Sequence, residues 1–219
     1  MSSERYEIFQ HACKVGDLET VKKYFDEFNV RYELLCMRFF VVMNGHLNVL
    51  KYIYQHGVDL QSFFGIYNPL TLAAEKGWVD ITDFLLEIGV DINLQNSDGW
   101  TALMYASWRG QTDVVDRLLS TRQCNVNLKD KKGFTALFLA VENGHLEIVD
   151  RLIVYGANYY HVNNNGENLL HYAIGSGNID MVQKLLPLEI DINQQDNNGW
   201  TPLTSAMRSE DDEIKNIFL

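Results

Sequence analysis

The sequence predicts an all-α solenoid of about seven stacked helix–turn–helix units with projecting hairpin fingers, and three observations predict it. The stretch DGWTALMYASWRGQTDVVDRLL (98–119) returns at 132–153 as KGFTALFLAVENGHLEIVDRLI, at 165–186 as NGENLLHYAIGSGNIDMVQKLL and at 198–219 as NGWTPLTSAMRSEDDEIKNIFL. The opening glycines Gly99, Gly133, Gly166 and Gly199 follow one another at steps of 34, 33 and 33 residues. Self-similarity at a fixed period of this size marks an array in which each unit packs only on its neighbours. Within each copy, apolar residues recur at helical spacing on either side of a break, which is filled by a glycine in most copies.

The elements can be justified in order. Residues 6–28 read as two short helices broken at Gly16-Asp17, with Ile8, Phe9 and Ala12 on one face and Leu18, Val21, Tyr24, Phe25 and Phe28 on the next. The polar outer side (Glu4, Arg5, Glu7, Lys14, Lys22, Lys23) suits a terminal unit that must face water on one side, so 1–30 is expected to be an N-terminal cap. A degenerate repeat follows over 31–62, its first helix bulky at Phe39, Phe40, Val41 and Val42, with Gly57 ending its second. Regular repeats are expected at 63–95, 96–129, 130–162 and 163–195, and a C-terminal capping unit at 196–219, the whole forming one domain over 1–219. Pro69 opens a helix, where its missing N–H costs nothing, and Ala73-Ala74 are small where two helices approach. Ser209 is expected to cap the last helix, with Glu210–Glu213 placing negative charge at its positive end.

Composition narrows the function. The formal charge of −11 leaves no basic stripe to neutralise phosphates, which argues against nucleic acid and anionic membranes and favours neutral or basic partners. Three scattered cysteines (Cys13, Cys36, Cys124) with no C-x-x-C pair fit free thiols in a reducing compartment. The N-terminal MSSERYEIFQ lacks the basic-then-apolar run of a signal peptide. The most apolar window, Leu34–Met43, is short for a bilayer and is interrupted by Arg38, so a soluble cytoplasmic protein is expected. No phosphate-binding loop, nucleophile elbow or H-E-x-x-H occurs, so no enzyme activity, metal or cofactor is expected.

Asp98-Gly99-x-Thr101-Ala102-Leu103, Gly133-x-Thr135-Ala136-Leu137 and Gly199-x-Thr201-Pro202-Leu203 resemble the D-x-x-G-x-T-P-L-H opening of ankyrin repeats. Gly144-His145-Leu146-Glu147-Ile148-Val149 resembles the start of their second helix, and Gly89-Val90-Asp91-Ile92-Asn93 their closing loop. The resemblance is strong over 63–219 and fainter over 6–62. Departures include Leu169-Leu170 in place of the threonine–proline pair, and Gln123 and Glu189 in place of the helix-ending glycine. It implies that His46, His145 and His171 tie down turns rather than bind metal.

The resemblance further implies a non-enzymatic protein–protein interaction module (an adaptor, inhibitor or effector) that holds a protein partner along the fingers and the inner helices. Contact positions carried over from the family are the residue after each opening glycine and the pair before the next inter-helix glycine. Aromatic and arginine residues at such positions are the types that dominate interface energy. Here they give Tyr67, Trp100, Trp108, Arg109, Phe134 and Trp200, with Phe63 and Phe64 at a finger tip. Tyr67, Trp100, Trp108, Arg109 and Phe134 are expected to form one patch, since the period sets like positions side by side. Trp108-Arg109 is expected at the exposed end of an inner helix. The alternative for Phe63-Phe64 is to fold down over the irregular first units, and for an aromatic after the glycine to pack on the next finger. The acidic background would draw a partner with basic or apolar side chains, bound by a monomer. The alternative is a structural, self-associating protein that uses the aromatics of 31–67. Asn93, Asn127 and Asn193 resemble the site used by asparagine hydroxylases on ankyrin repeats, although each amide can instead hydrogen-bond its own loop.

Overall fold

The computed structural model describes residues 3–28, 31–208 and 212–218. Among them fourteen α-helices follow one another as seven pairs. The first helices of the pairs are α1 (Ser3–Val15), α3 (Arg31–Met43), α5 (Pro69–Lys76), α7 (Ala102–Arg109), α9 (Ala136–Glu142), α11 (Leu169–Gly175) and α13 (Pro202–Arg208). Their partners are α2 (Leu18–Tyr24), α4 (Leu47–Gln55), α6 (Val79–Glu87), α8 (Thr112–Ser120), α10 (Leu146–Val154), α12 (Ile179–Leu185) and α14 (Asp212–Ile217). Successive first helices pack on one another from α1 to α13, and α6, α8, α10, α12 and α14 make a second row behind them. Between α4 and α6 that second row is bridged by Phe84, which meets the Tyr54 ring at 5.7 Å and lies under the Lys51 ammonium at 5.5 Å.

Each helix begins and ends where its sequence dictates. Thr101 and Thr135 accept hydrogen bonds from the amides of Met104 and Phe138, and Asn68 with Thr71 closes a reciprocal capping box ahead of Pro69. Gly110 shows why the inter-helix position is a glycine. Its φ is +73°, and a Cβ there would lie 2.6 Å from the imidazole of His145 in the next unit. The helix-ending turn is left-handed without glycine at two places. One is Glu189, as the sequence suggested, but in the fourth unit it falls on Arg122 (φ 56°) and not on Gln123. There α8 ends at Ser120 and the Arg122 amide bonds the Leu119 carbonyl, so the chain turns one residue earlier. Ser209, Glu210 and Asp211 lie outside the described residues; Asp212 and Glu213 do stand in the first turn of α14.

The core runs the length of the array as a continuous apolar seam. Ala73, Ala74, Ala106 and Ala140 are completely buried, as are Val41 and Val42 at the alanine-pair positions of the second unit. The first helices pack closely through these alanines, so Ala106→Leu or Ala140→Leu is expected to overpack and destabilise by about 1–3 kcal/mol. Glu142→Ala, on the open face, is expected to change stability by about 0.5 kcal/mol or less. Denaturant melts giving equal losses for all three would show that the helix register is wrong.

Candidate partner-binding surface

The fingers are built by one device used four times. Asn96 Oδ1 accepts from the amides of Asp98 and Trp100, and Asp130 Oδ1 from those of Lys132 and Phe134, all at 2.8–2.9 Å. Asn163 does the same for Asn165 and Glu167, and Asp196 for Asn198 and Trp200. A short side chain thus folds the tip back on its own backbone and fixes the direction in which residues 100, 134, 167 and 200 leave the turn. Adjacent fingers are joined by backbone bonds (Lys131 to Asp98, Asn164 to Lys132, Asn197 to Asn165), and no strand ladder forms among the described residues. The segment before Tyr67 departs from this device, with Phe64 and Tyr67 pairing through their backbones at 2.7 and 3.3 Å.

With the fingers so aimed, four of the sequence-derived candidates meet. Tyr67, Trp100, Trp108 and Phe134 line one open groove of about 710 Å³, with Asp98, Asp130, Glu142 and Lys131-Lys132 around them. Trp100 and Trp108 stand edge to face at 5.7 Å and 88°. Beneath them Tyr105, only 4% exposed, touches both Trp100 (5.0 Å) and Tyr67 (5.2 Å). The Trp100 indole N–H donates to Asp130 of the next finger at 3.1 Å, so this ring is partly committed to packing. Trp108, near the end of its inner helix, is half-buried, because Trp100 leans on one side and Arg109 covers a face at 3.8 Å.

Arg109 is engaged inside the protein. Its Nη2 and Nε donate to Glu75 at 2.7 and 3.2 Å, and Glu75 is 5% exposed. Burial alone would raise the Glu75 carboxyl, but the Tyr67 hydroxyl, Arg109 and Lys76 together hold it below the usual range. Burial and the same carboxylate push the Tyr67 phenol well up, and burial with Glu75 and Asp98 nearby takes Tyr105 up to about 12. A depressed carboxyl contributes stability above its unfolded value and loses it as pH falls through the folded one. The stability difference between the wild type and Glu75→Gln is therefore expected to shrink as pH drops below about 4.5, in denaturant melts at stepped pH. A constant difference across that window would show that the Glu75 charge is not stabilised.

Phe63, Phe64 and Trp200 lie outside the groove. Phe64 packs on Phe39 at 5.5 Å, and Phe39 also meets Tyr67 at 6.4 Å, so this tip folds inward over the second unit. Phe63 is half-buried. Trp200, on the last finger, is 40% exposed with Arg208 stacked over it at 4.6 Å. Further along the array, Phe134, Phe138 and Tyr172 form an aromatic cluster with centroids 5.2–5.6 Å apart. The sequence reading singled out neither Tyr105 nor Tyr172. The available signal was register: both follow their opening glycine by the same interval, and both hydroxyls accept from a finger asparagine (Asn96, Asn163).

The asparagines and histidines serve as ties between units. Asn93 Nδ2 donates to the Gln123 carbonyl at 2.9 Å and its Oδ1 accepts from the Asn125 amide at 2.8 Å. Asn127 does likewise with Gly156 and Asn158. These amides therefore bond the following loop and not their own, because the loops stack at the repeat distance. The Asn193 backbone amide instead donates to the Asp191 carboxylate of its own loop at 2.8 Å. His46 and His145 reach the carbonyls of Lys14 and Trp108 in the preceding unit, and His171 completes a capping box with Asn168.

Comparison with known proteins agrees with this architecture. Family models described as ankyrin repeats match residues 8–95, 38–130 and 137–219, and a second such model matches 111–153. Among curated proteins, a probable E3 ubiquitin-protein ligase of rice, XBOS33, is 49% identical over 65 residues, which is 30% of this chain and 12% of the ligase. The rat ankyrin repeat and SAM domain-containing protein 6 is 32% identical over 117 residues, 53% of this chain and 10% of that protein. The Notch-regulated ankyrin repeat-containing protein of Xenopus laevis is 39% identical over 84 residues, 36% of this chain and 74% of the frog protein. The match thus spans about an eighth of the rice ligase, and a still smaller share of the rat protein. No helix among the described residues is long and apolar enough to cross a membrane.

Proposed function

The chain belongs to the ankyrin repeat family, and from that premise we propose that it is a non-enzymatic interaction module. It holds a protein partner, basic or apolar at its contact surface, in the groove on the finger and inner-helix face. The observation that carries this reading is the convergence of Tyr67, Trp100, Trp108 and Phe134, from three successive units, on one open aromatic groove. Apolar rings gathered in a groove and rimmed by polar residues mark interaction sites. The protein acts as a monomer in the cytoplasm, with Cys13 and Cys124 as free thiols. Against the self-associating alternative, Phe39 packs on Phe64 and on Tyr67 within the chain and Lys14 covers the Phe40 ring at 4.6 Å, so part of the 31–67 aromatic surface is already used.

The test is a capture experiment with cell extract on immobilised wild type, Phe134→Ala and Val154→Ser. Val154 is 81% exposed on α10, away from the groove. Proteins retained by wild type and Val154→Ser but lost with Phe134→Ala support the groove; retention that depends on Val154 and ignores Phe134 places the interface elsewhere. Light scattering across concentrations is expected to give a constant monomer mass of about 25.2 kDa, and a rise toward twice that value would restore the alternative.

A further inference from the structure

Two units apart, the same register holds two different arrangements. In the first, the buried Glu75 lies under the Trp108-Arg109 pair of the next unit: Arg109 Nε and Nη2 both donate to Glu75 Oε1, and the guanidinium carbon lies 3.8 Å from the Trp108 ring centroid. Two units further on, Phe134 stands for Tyr67, Glu142 for Glu75, Glu167 for Trp100, and Gly175-Ser176 for Trp108-Arg109. The tryptophan–arginine lid is missing there. In its place is a depression of about 320 Å³ lined by Glu142, Glu167, His171, Tyr172, Gly175 and Ser176. Glu142 is also a wall of the aromatic groove, so depression and groove form one trough.

The charge in this depression forms no ion pair among the described residues. Glu167 is held through Oε2, which accepts from the Tyr172 hydroxyl and Asn163 Nδ2 at 2.8 Å each. Among the described residues the Glu142 carboxylate makes no hydrogen bond or ion pair. Desolvation by the trough, with Glu167 adding to it and Lys132 opposing, raises the Glu142 carboxyl although the residue as a whole is exposed. Two carboxylates that form no ion pair among the described residues, with Lys132 acting on Glu142 only from a distance, lie beside the Tyr172 and Phe134 rings 5.2 Å apart and are complementary to a planar cation. The chain as a whole, at −11, adds long-range attraction for a basic segment.

We propose that this depression receives an arginine side chain of the protein partner, its guanidinium pairing with Glu142 in the register that Arg109 holds over Glu75, while apolar residues of the same segment lie in the aromatic groove. The assignment rests on the groove reading above and adds a chemical identity to its occupant. Arginine is favoured over lysine because its planar guanidinium can pack on a ring while offering two N–H donors to one carboxylate, as Arg109 does with Trp108 and Glu75 Oε1 within this chain.

The experiment pans the folded protein against phage-displayed random peptides and measures synthetic copies of the enriched sequences on wild type, Glu142→Gln and Trp108→Ala, each checked for wild-type circular dichroism. Enriched peptides are expected to share an arginine beside apolar residues. Their affinity is expected to fall about tenfold or more with Glu142→Gln, or when citrulline replaces the arginine. Peptides that lose affinity with Trp108→Ala but carry no arginine, carry lysine instead, or bind Glu142→Gln as well as wild type overturn the arginine assignment and leave the groove standing. Enrichment of nothing, or of peptides indifferent to Trp108→Ala, overturns the groove and the assignment with it.

Discussion

Arg38→Ala is expected to lower the unfolding free energy by about 3 kcal/mol, more than any single exposed charge in the array. Arg38 is 1% exposed, an uncommon place for a guanidinium. It is kept there by the backbone of the 57–68 segment: Nη1 donates to the Asp59 carbonyl, Nη2 donates to the Ser62 carbonyl at 2.6 Å, and the Asp59 carboxylate stands at 3.7 Å. Burial pulls the guanidinium pKa down and Asp59 pulls it partly back. Alanine would take the donors from two carbonyls at part-buried bonds and would open a cavity where a fully buried side chain stood, the two losses together giving about 3 kcal/mol. Arg38→Lys keeps the charge but cannot span both carbonyls, so an intermediate loss is expected. Arg117→Ala is the control. It breaks an exposed bridge to Asp83 and is expected to cost about 1 kcal/mol or less. Denaturant melts in which Arg38→Ala and Arg117→Ala coincide would show that Arg38 does not pin the junction.

Arg38 also marks a limit of the sequence reading. The repeat spacing, the inter-helix glycines and the paired apolar runs were enough to place the seven helix pairs, because each unit uses the same local chemistry and the period multiplies a weak signal. The 57–68 junction has no counterpart elsewhere in the chain, so periodicity says nothing about it. There Arg38 could be read only as an interruption of an apolar window, whereas the fold turns it into the clamp that a finger asparagine or aspartate supplies at later junctions. The shifted turn at Arg122 has the same origin: with no glycine to anchor the left-handed residue, its position is decided by where α8 stops.

Of the candidate surface, the residues set by register were legible and those set by cross-unit pairing were not. Tyr67, Trp100, Trp108 and Phe134 converge because like positions stack, which the period alone implies. Arg109 occupied by Glu75 and the asparagine amides reaching the following loop depend on which particular side chain stands one unit away, whereas the inward turn of Phe64 onto Phe39 was one of two readings the sequence left open. The ladder behind the groove is of the same kind: Asp83 to Arg117, Asp116 to Arg151 and Asp150 to Lys184 repeat at nearly the array period, yet each ion looks solvated when read singly.

Trp108→Ala is expected to weaken partner binding by ~2 kcal/mol or more, about thirtyfold, while moving the melting midpoint only slightly. The ring lines the groove together with Phe134 of the next unit, stands edge to face with Trp100 of its own, and is large and rigid. Such a residue loses little conformational entropy on binding and buries much area, which is why tryptophan is enriched at interface hot spots. Its loss should be tolerated in the free protein for two reasons. The residue is half-exposed, so part of its surface faces solvent before binding. Arg109 keeps its two bonds to Glu75 Oε1 without the indole beneath it, since those bonds run to the carboxylate and not to the ring. Trp108→Phe, which preserves an aromatic face but less area, should recover part of the affinity. Calorimetric titration of a captured partner, with melts of each variant alongside, separates the possibilities. If Trp108→Ala unfolds the protein while the folded fraction binds as tightly as wild type, the indole is a packing residue and the partner sits on another part of the array.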